Sequence, residues 1–156
     1  MNKERMIFDC NTSRCVGCFA CVVACNDQKY DMDEPGPSLL RVVRHEDLDT
    51  GNTTFTSLGC MHCPDAPCAA ACPTGAVYRD MVLGLTAVDQ DKCVGCRSCL
   101  TVCPIGAPQF TADNKMSKCD GCLHRQRAGL VPVCVKTCPS GALTLRRVPH
   151  PTAERT

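Results

Sequence analysis

Apolar residues in this chain come in short bursts separated by polar and turn-forming residues. Residues 7–8, 39–44, 53–58, 77–79 and 143–145 read as short strands. Asp49-Thr50-Gly51-Asn52 reads as the turn between the second and third of them, and Pro35-Gly36-Pro37 as a break before both. Residues 77–79 and 81–88 read as two short strands joined at Asp80. Helices are expected to be short and to begin inside the cysteine runs, as at 20–25 and 100–103. The residues after Pro149 read as an unstructured tail. These elements predict an α+β chain of short helices and small antiparallel hairpins, with little other core.

Composition sharpens that expectation. Leu, Ile, Val and Phe number 31 of 156 residues and Trp is absent. A fifth of the chain is the border below which a domain struggles to bury a sufficient core, so something else must fill the interior. Cysteine is the outlier, at 17 residues. A net charge of +1 gives no electrostatic case for nucleic acid or an acidic membrane surface. No apolar run approaches the ~20 residues of a membrane span. The N-terminus lacks an apolar segment of signal-peptide length, and Arg146-Arg147 lies at the wrong end to be a twin-arginine signal. The expectation is a cytoplasmic protein with no membrane span of its own, with export alongside a signal-bearing partner as the lesser alternative. A disulfide framework fits that compartment badly.

The cysteines form four groups of four: Cys15, Cys18, Cys21, Cys25; Cys60, Cys63, Cys68, Cys72; Cys93, Cys96, Cys99, Cys103; and Cys119, Cys122, Cys134, Cys138. Cys10 is left over and reads as a spare buried thiol. Residues 93–104 have the spacing C-x2-C-x2-C-x3-C-P, which holds cubane iron–sulfur clusters in bacterial ferredoxins. The groups alternate between short and wide spacing. Cys-Pro-x-Gly-Ala closes the second, third and fourth, as expected of a doubled two-cluster ferredoxin. Soft thiolates converging on one small object suit iron and sulfide. Zinc ribbons instead use pairs of cysteines separated by a longer spacer. Gly17, Gly95 and Gly121 let each C-x2-C loop curl and aim backbone N–H groups at sulfur. The second loop carries Met61-His62 there and is expected to differ. His62 and His124 read as packing or hydrogen-bonding residues beside the ligands. Arg97, Lys118 and Arg125 read either as charges that raise cluster potentials or as solvated side chains.

Two pairings of the groups are open. One pairs first with second and third with fourth, bridging 34 residues in one half and 15 in the other. The nested one pairs second with third, through the 77–88 hairpin, and first with fourth. It is preferred. The fourth cysteine of each run ligates the neighbouring cluster in two-cluster ferredoxins. Nesting then predicts Cys15, Cys18, Cys21 with Cys138; Cys119, Cys122, Cys134 with Cys25; Cys60, Cys63, Cys68 with Cys103; and Cys93, Cys96, Cys99 with Cys72. The expected organisation is two ferredoxin-like modules of two [4Fe–4S] clusters each. Residues 1–30 and 104–148 form the outer module, 60–103 the inner one, 31–59 a loop and hairpin insertion, and 149–156 a flexible tail.

Three stretches carry a specific resemblance: Cys60-Met-His-Cys-Pro-Asp-Ala-Pro-Cys68 through Cys72-Pro-Thr-Gly-Ala76; Cys93 through Pro104-Ile-Gly-Ala-Pro-Gln-Phe110; and Lys118-Cys-Asp-Gly-Cys122 with Arg125, Gly129, Pro132, Cys134, Cys138 and Pro139. On these the chain resembles the four-cluster electron-transfer subunits of molybdenum and tungsten oxidoreductases, such as dimethyl sulfoxide reductase, polysulfide reductase, formate dehydrogenase and formate hydrogenlyase, and of tungsten aldehyde oxidoreductases. The resemblance implies the nested pairing and four complete [4Fe–4S] clusters, since Cys96 is kept where some relatives replace a ligand. It also implies a hetero-oligomer with a large molybdenum- or tungsten-pterin catalytic subunit and a further flavin, quinone or ferredoxin partner.

The residues themselves point to an electron wire and not to an enzyme. Each expected iron has its cysteine, and no G-x-G-x-x-G fingerprint or phosphate loop is present. A free soluble polyferredoxin is the alternative to a dedicated subunit.

Overall fold

The structure, a computed structural model, describes residues 4–149. The expected tail at 149–156 lies, after its first residue, outside the described residues. In chain order the elements are β1 (Glu4–Cys10), α1 (Ala20–Lys29), β2 (Arg41–Glu46), β3 (Thr53–Leu58), α2 (Pro67–Ala70), β4 (Val77–Arg79), β5 (Thr86–Val88), α3 (Ser98–Thr101), β6 (Gln109–Phe110), β7 (Met116–Ser117), α4 (Leu123–Arg127), α5 (Val133–Thr137) and β8 (Leu143–Pro149). The strands form four separate two-stranded antiparallel sheets: β1 with β8, β2 with β3, β4 with β5, and β6 with β7. This is the α+β arrangement of short helices and hairpins that the sequence predicts.

The β1–β8 pair ties the two ends of the described chain together, from Glu4 opposite Pro149 to Cys10 opposite Leu143. It brings the first and fourth cysteine groups side by side, and α1 packs on α5. The β4–β5 hairpin does the same for the second and third groups, and α2 packs on α3. Its turn is locked by Asp80. That buried carboxylate accepts the N–H groups of Val82 and Leu83 and pairs with Arg127 of α4 at 2.6 Å.

Three small apolar clusters stand in for one large core. Ala76, Val77 and Met116 surround Cys93 and Cys99. Leu40 and Leu143 surround Cys21 and Cys134. Met6, Leu85, Ala87 and Leu123 join β1, β5 and α4 between them. The β6–β7 hairpin packs Phe110 and Met116 against the Cys93 side. Phe110 and Met116 thus pack with cysteines of the second and third groups. The β2–β3 hairpin of the insertion lies over the first cysteine group. A Cβ on Gly17 would fall 2.6 Å from the Phe55 ring.

Candidate metal centres

In all four groups the third and fourth cysteines are four residues apart, one turn of helix. Cys21 and Cys25 lie on α1; Cys68, Cys99 and Cys134 lie on α2, α3 and α5, with Cys72, Cys103 and Cys138 at or just past the helix ends. Each short helix thus carries one thiol forward to a neighbouring space.

The loops before these helices are held in the left-handed region. Gly17, Gly95 and Gly121 have φ of 67°, 70° and 70°. His62, at the equivalent place in the second loop, has φ of 47°. The second loop was expected to differ, and in backbone sign it does not. Its imidazole is wholly buried, and Nδ1 accepts the Thr86 N–H at 3.0 Å, which offsets the ~1–2 kcal/mol that a side chain costs there. Phe19, Ala66, Arg97 and Cys122, each just before a helix, are also left-handed. Backbone strain of this kind gathers at functional sites.

The Cys-Pro-x-Gly-Ala closures repeat a second turn. The N–H of Gly75, Gly106 and Gly141 donates to the carbonyl of Cys72, Cys103 and Cys138 at 3.2–3.3 Å. The turn folds further N–H groups back onto the sulfurs, as Ala107 does to Cys103 Sγ at 3.3 Å. Burial opposes ionisation of Cys72 and Cys138. The N–H groups of Val77 and Leu143, with the Thr74 and Ser140 hydroxyls, outweigh it and lower both thiols. The Ser98 hydroxyl and N–H lower Cys96. Elsewhere burial dominates. It pushes Cys25 and Cys99 up to about 11, Cys134 up to about 12 and Cys119 further still.

All seventeen thiols are free, and sixteen of them gather around four spaces. Cys15, Cys18, Cys21 and Cys138 line one of about 310 Å³. Cys72, Cys93, Cys96 and Cys99 line one of about 300 Å³. Cys60, Cys63, Cys68 and Cys103 line one of about 370 Å³. Cys25, Cys119, Cys122 and Cys134 line part of a larger, partly open space, which Cys60 also reaches. Cys10 is outside the four sets but lies against the first: it accepts the Ser57 N–H at 3.3 Å, packs on the apolar cluster around Cys21, and its thiol is raised by burial and by the neighbouring Cys15 and Cys21.

The donor sets fit a polynuclear cluster. Among the described residues no three His, Cys, Asp or Glu side chains close on a point that could hold one ion, whereas zinc needs four ligands within about 2.3 Å of a centre. Thr86 Oγ1 is buried without a partner in the wall of the Cys60 cavity, as a donor facing an inorganic sulfide would be. Thr86 carries no signal in the sequence. Nor does Ser57, whose hydroxyl lies 3.4 Å from Cys21 Sγ.

The loop glycines make a testable contrast. A Cβ on Gly95 would fall 2.4 Å from the backbone oxygen of Asn114, while one on Gly75 would meet nothing within 4 Å. Gly95→Ala should cost about 2–4 kcal/mol, strain plus overlap, and Gly75→Ala about 1–2 kcal/mol of strain alone. Denaturant midpoints of the iron-loaded variants check the difference; equal losses would contradict it.

Small hairpins and helices around four four-thiol spaces define a ferredoxin-like iron–sulfur protein with several clusters. Residues 52–148 match the family model described as a 4Fe-4S dicluster domain, and residues 14–76 match a second model of that description. The chain is 39% identical over 147 residues to the probable anaerobic dimethyl sulfoxide reductase chain YnfG of Escherichia coli K12, covering 87% of this chain and 70% of that one. It is 38% identical over 147 residues to the B subunit of anaerobic dimethyl sulfoxide reductase from the same organism, with the same coverage. It is 38% identical over 151 residues to that organism's protein NrfC, covering 91% and 65%. The chain belongs to the 4Fe-4S dicluster family of iron–sulfur electron-transfer subunits, and four [4Fe–4S] clusters are its cofactors.

Proposed function

We propose that this chain is the non-catalytic subunit that relays single electrons between a molybdenum- or tungsten-pterin catalytic subunit and a further redox partner. The distribution of thiols carries the reading: four complete sets of four, leaving no coordination position for a substrate. In this reading Cys15, Cys18, Cys21 and Cys138 hold one cluster, and Cys25, Cys119, Cys122 and Cys134 a second. Cys60, Cys63, Cys68 and Cys103 hold a third, and Cys72, Cys93, Cys96 and Cys99 a fourth. A bound cluster takes up and returns one electron at a time. The protein supplies position, dryness and hydrogen bonds to sulfur. The outer pair is built on α1 and α5, each giving one thiol to both sites. The inner pair is built likewise on α2 and α3.

The ends of the wire are marked by exposure. Cys18 and Cys96 are the exposed cysteines of the described chain. Around Cys18 stand Val16, Phe19 and Val23, at least half exposed; around Cys96 stand Val94, Leu100 and Val102, also exposed. An apolar collar around a ligand loop suits a partner that docks there and excludes water. Among the described residues no helix is long and apolar enough to cross a membrane. The dimethyl sulfoxide reductase relative is by its name one part of a reductase, which supports the hetero-oligomer.

Val16→Glu with Val23→Glu should weaken one partner by about thirtyfold or more, and Val94→Glu the other, with iron content unchanged. Co-purification from native cells reads this, and retention of both partners by both variants would refute the collars. The function itself is tested by anaerobic purification with metal analysis. The expected result is a large subunit containing molybdenum or tungsten and about 16 iron atoms per small chain. A chain migrating alone would favour a free polyferredoxin, and 8 iron atoms or fewer at full occupancy would overturn the four-cluster wire.

A further inference from the structure

Two ligand loops from different halves of the molecule reach into each other. Lys118 precedes Cys119, yet it is only 2% exposed. Its Nζ donates to the Cys119 carbonyl at 2.9 Å and to the Thr86 carbonyl, and lies 3.7 Å from Cys60 Sγ on the other loop. His62, two residues after Cys60, answers it. Its Nε2 lies 3.8 Å from Cys119 Sγ. Its Nδ1 accepts the Thr86 N–H, so the ring proton sits on Nε2, the nitrogen that faces Cys119. Thr86 of β5 holds both side chains through its N–H and its carbonyl.

A buried ammonium is costly unless an anion answers it. Among the described residues no Asp or Glu forms an ion pair with Lys118. Its neighbours are two carbonyls and the Cys60 thiol. The balancing negative charge is therefore that of the thiolate-bound groups on its two sides. With Nδ1 engaged as an acceptor, the His62 ring presents its Nε2 proton to Cys119. It accordingly acts as a directed N–H donor and not as a second cation.

We propose that Lys118 and His62 are positioning residues for the central electron step, each raising the reduction potential of the cluster ligated by the other's loop. The proposal rests on the electron-transfer reading and its ligand sets. A cation or an N–H group at a ligand sulfur favours the more negative, reduced state. Reciprocal donation across one junction raises the two central clusters together relative to the two end clusters. The inner and outer ends lack this bridge, since Lys118 and His62 reach only Cys60 and Cys119.

The test is a redox titration of the iron-loaded chain, followed by paramagnetic resonance. Signals are assigned by their loss in Cys60→Ser, Cys119→Ser, Cys93→Ser and Cys15→Ser. Lys118→Gln should lower the reduced-to-oxidised ratio of the Cys60 cluster about tenfold at fixed potential, equivalent to 59 mV for one electron. Lys118→Arg should restore most of it, and the Cys93 and Cys15 clusters should not move. His62→Leu should lower the Cys119 cluster in the same sense, and His62→Gln, which keeps a donor, should lower it less. Full iron content with unmoved potentials in Lys118→Gln, or an equal shift of all four clusters, would overturn the proposal. If Lys118→Gln fails to load, a fully loaded His62→Leu with an unmoved Cys119 cluster would overturn it instead. Wild-type chain with fewer than four signals would sink the underlying four-cluster reading and not this junction alone.

Discussion

Replacing Cys103 by Ser is expected to abolish the cluster gripped by Cys60, Cys63 and Cys68 and to spare the one gripped by Cys93, Cys96 and Cys99. Sequence adjacency suggests the opposite, since Cys103 belongs to the same run as Cys93. The helix decides it. α3 ends at Thr101, and a thiol four residues beyond Cys99 has moved about 6 Å along the axis. Cys99 lies in the wall with Cys72, Cys93 and Cys96, and Cys103 in the wall with Cys60, Cys63 and Cys68. Ala107 N–H holds Cys103 Sγ there, on a turn made by Pro104 and Gly106. Iron should fall from about 16 to about 12 atoms per chain. The resonance signal lost in Cys103→Ser should be the one lost in Cys60→Ser and not the one lost in Cys93→Ser. Electrons supplied at the Cys18 end should then stop short of Cys96, because an inner link is missing. Cys138→Ser should act alike on the Cys15 cluster. If Cys103→Ser and Cys93→Ser remove the same signal, the crossed sets are wrong.

The cluster chemistry is legible in the sequence because ligation leaves a rigid record. Thiols must recur at fixed offsets, glycine must fill the curled position, and proline must stop the helix. What depends on contact across the chain leaves no such record. Met61-His62 looks like a departure from the loop, yet His62 takes the glycine conformation because Thr86, 24 residues away, anchors its ring. Strands β6 and β7 have two residues each, too few for any alternation to show. They exist because Phe110 and Met116 pack on the Cys93 side. Helix α4, Leu-His-Arg-Gln-Arg, has one apolar residue and no visible stripe. Lys118 reads as a charge of either kind until the fold buries it. The 53–58 strand and its turn are visible, but not that Val42 and Ser57 wall the first cluster space.

Removing iron should unfold the chain rather than merely silence it. A domain of this size needs a net ~5–15 kcal/mol of stability, and the described residues hold few means of supplying it without metal. The longest sheet partners are β1 and β8, and the other hairpins have strands of two to six residues. Isolated two-stranded hairpins are marginal in water. Two of the three apolar clusters are built around cysteines of the four-thiol sets, Cys93 with Cys99 and Cys21 with Cys134. No disulfide replaces the metal as a staple. Five side-chain-bearing residues in the ligand loops are held left-handed, each at ~1–2 kcal/mol, and only the contacts around the sites oppose that strain. Iron binding free energy is thus folding free energy, as in small metal-stapled domains. The thiols of the iron-free, unfolded chain are protonated at neutral pH, their ordinary pKa being about 8.5, and folding buries Cys25, Cys99, Cys119 and Cys134 further against ionisation. Loading must displace those protons, and acid opposes it. Chelation under anaerobic conditions should therefore abolish the cooperative denaturant transition and most of the far-ultraviolet circular dichroism. Iron and sulfide with reductant should restore both together, faster at pH 8 than at pH 6. An iron-free chain that keeps a cooperative transition of more than about 5 kcal/mol would show that the polypeptide folds first and the clusters enter a finished frame.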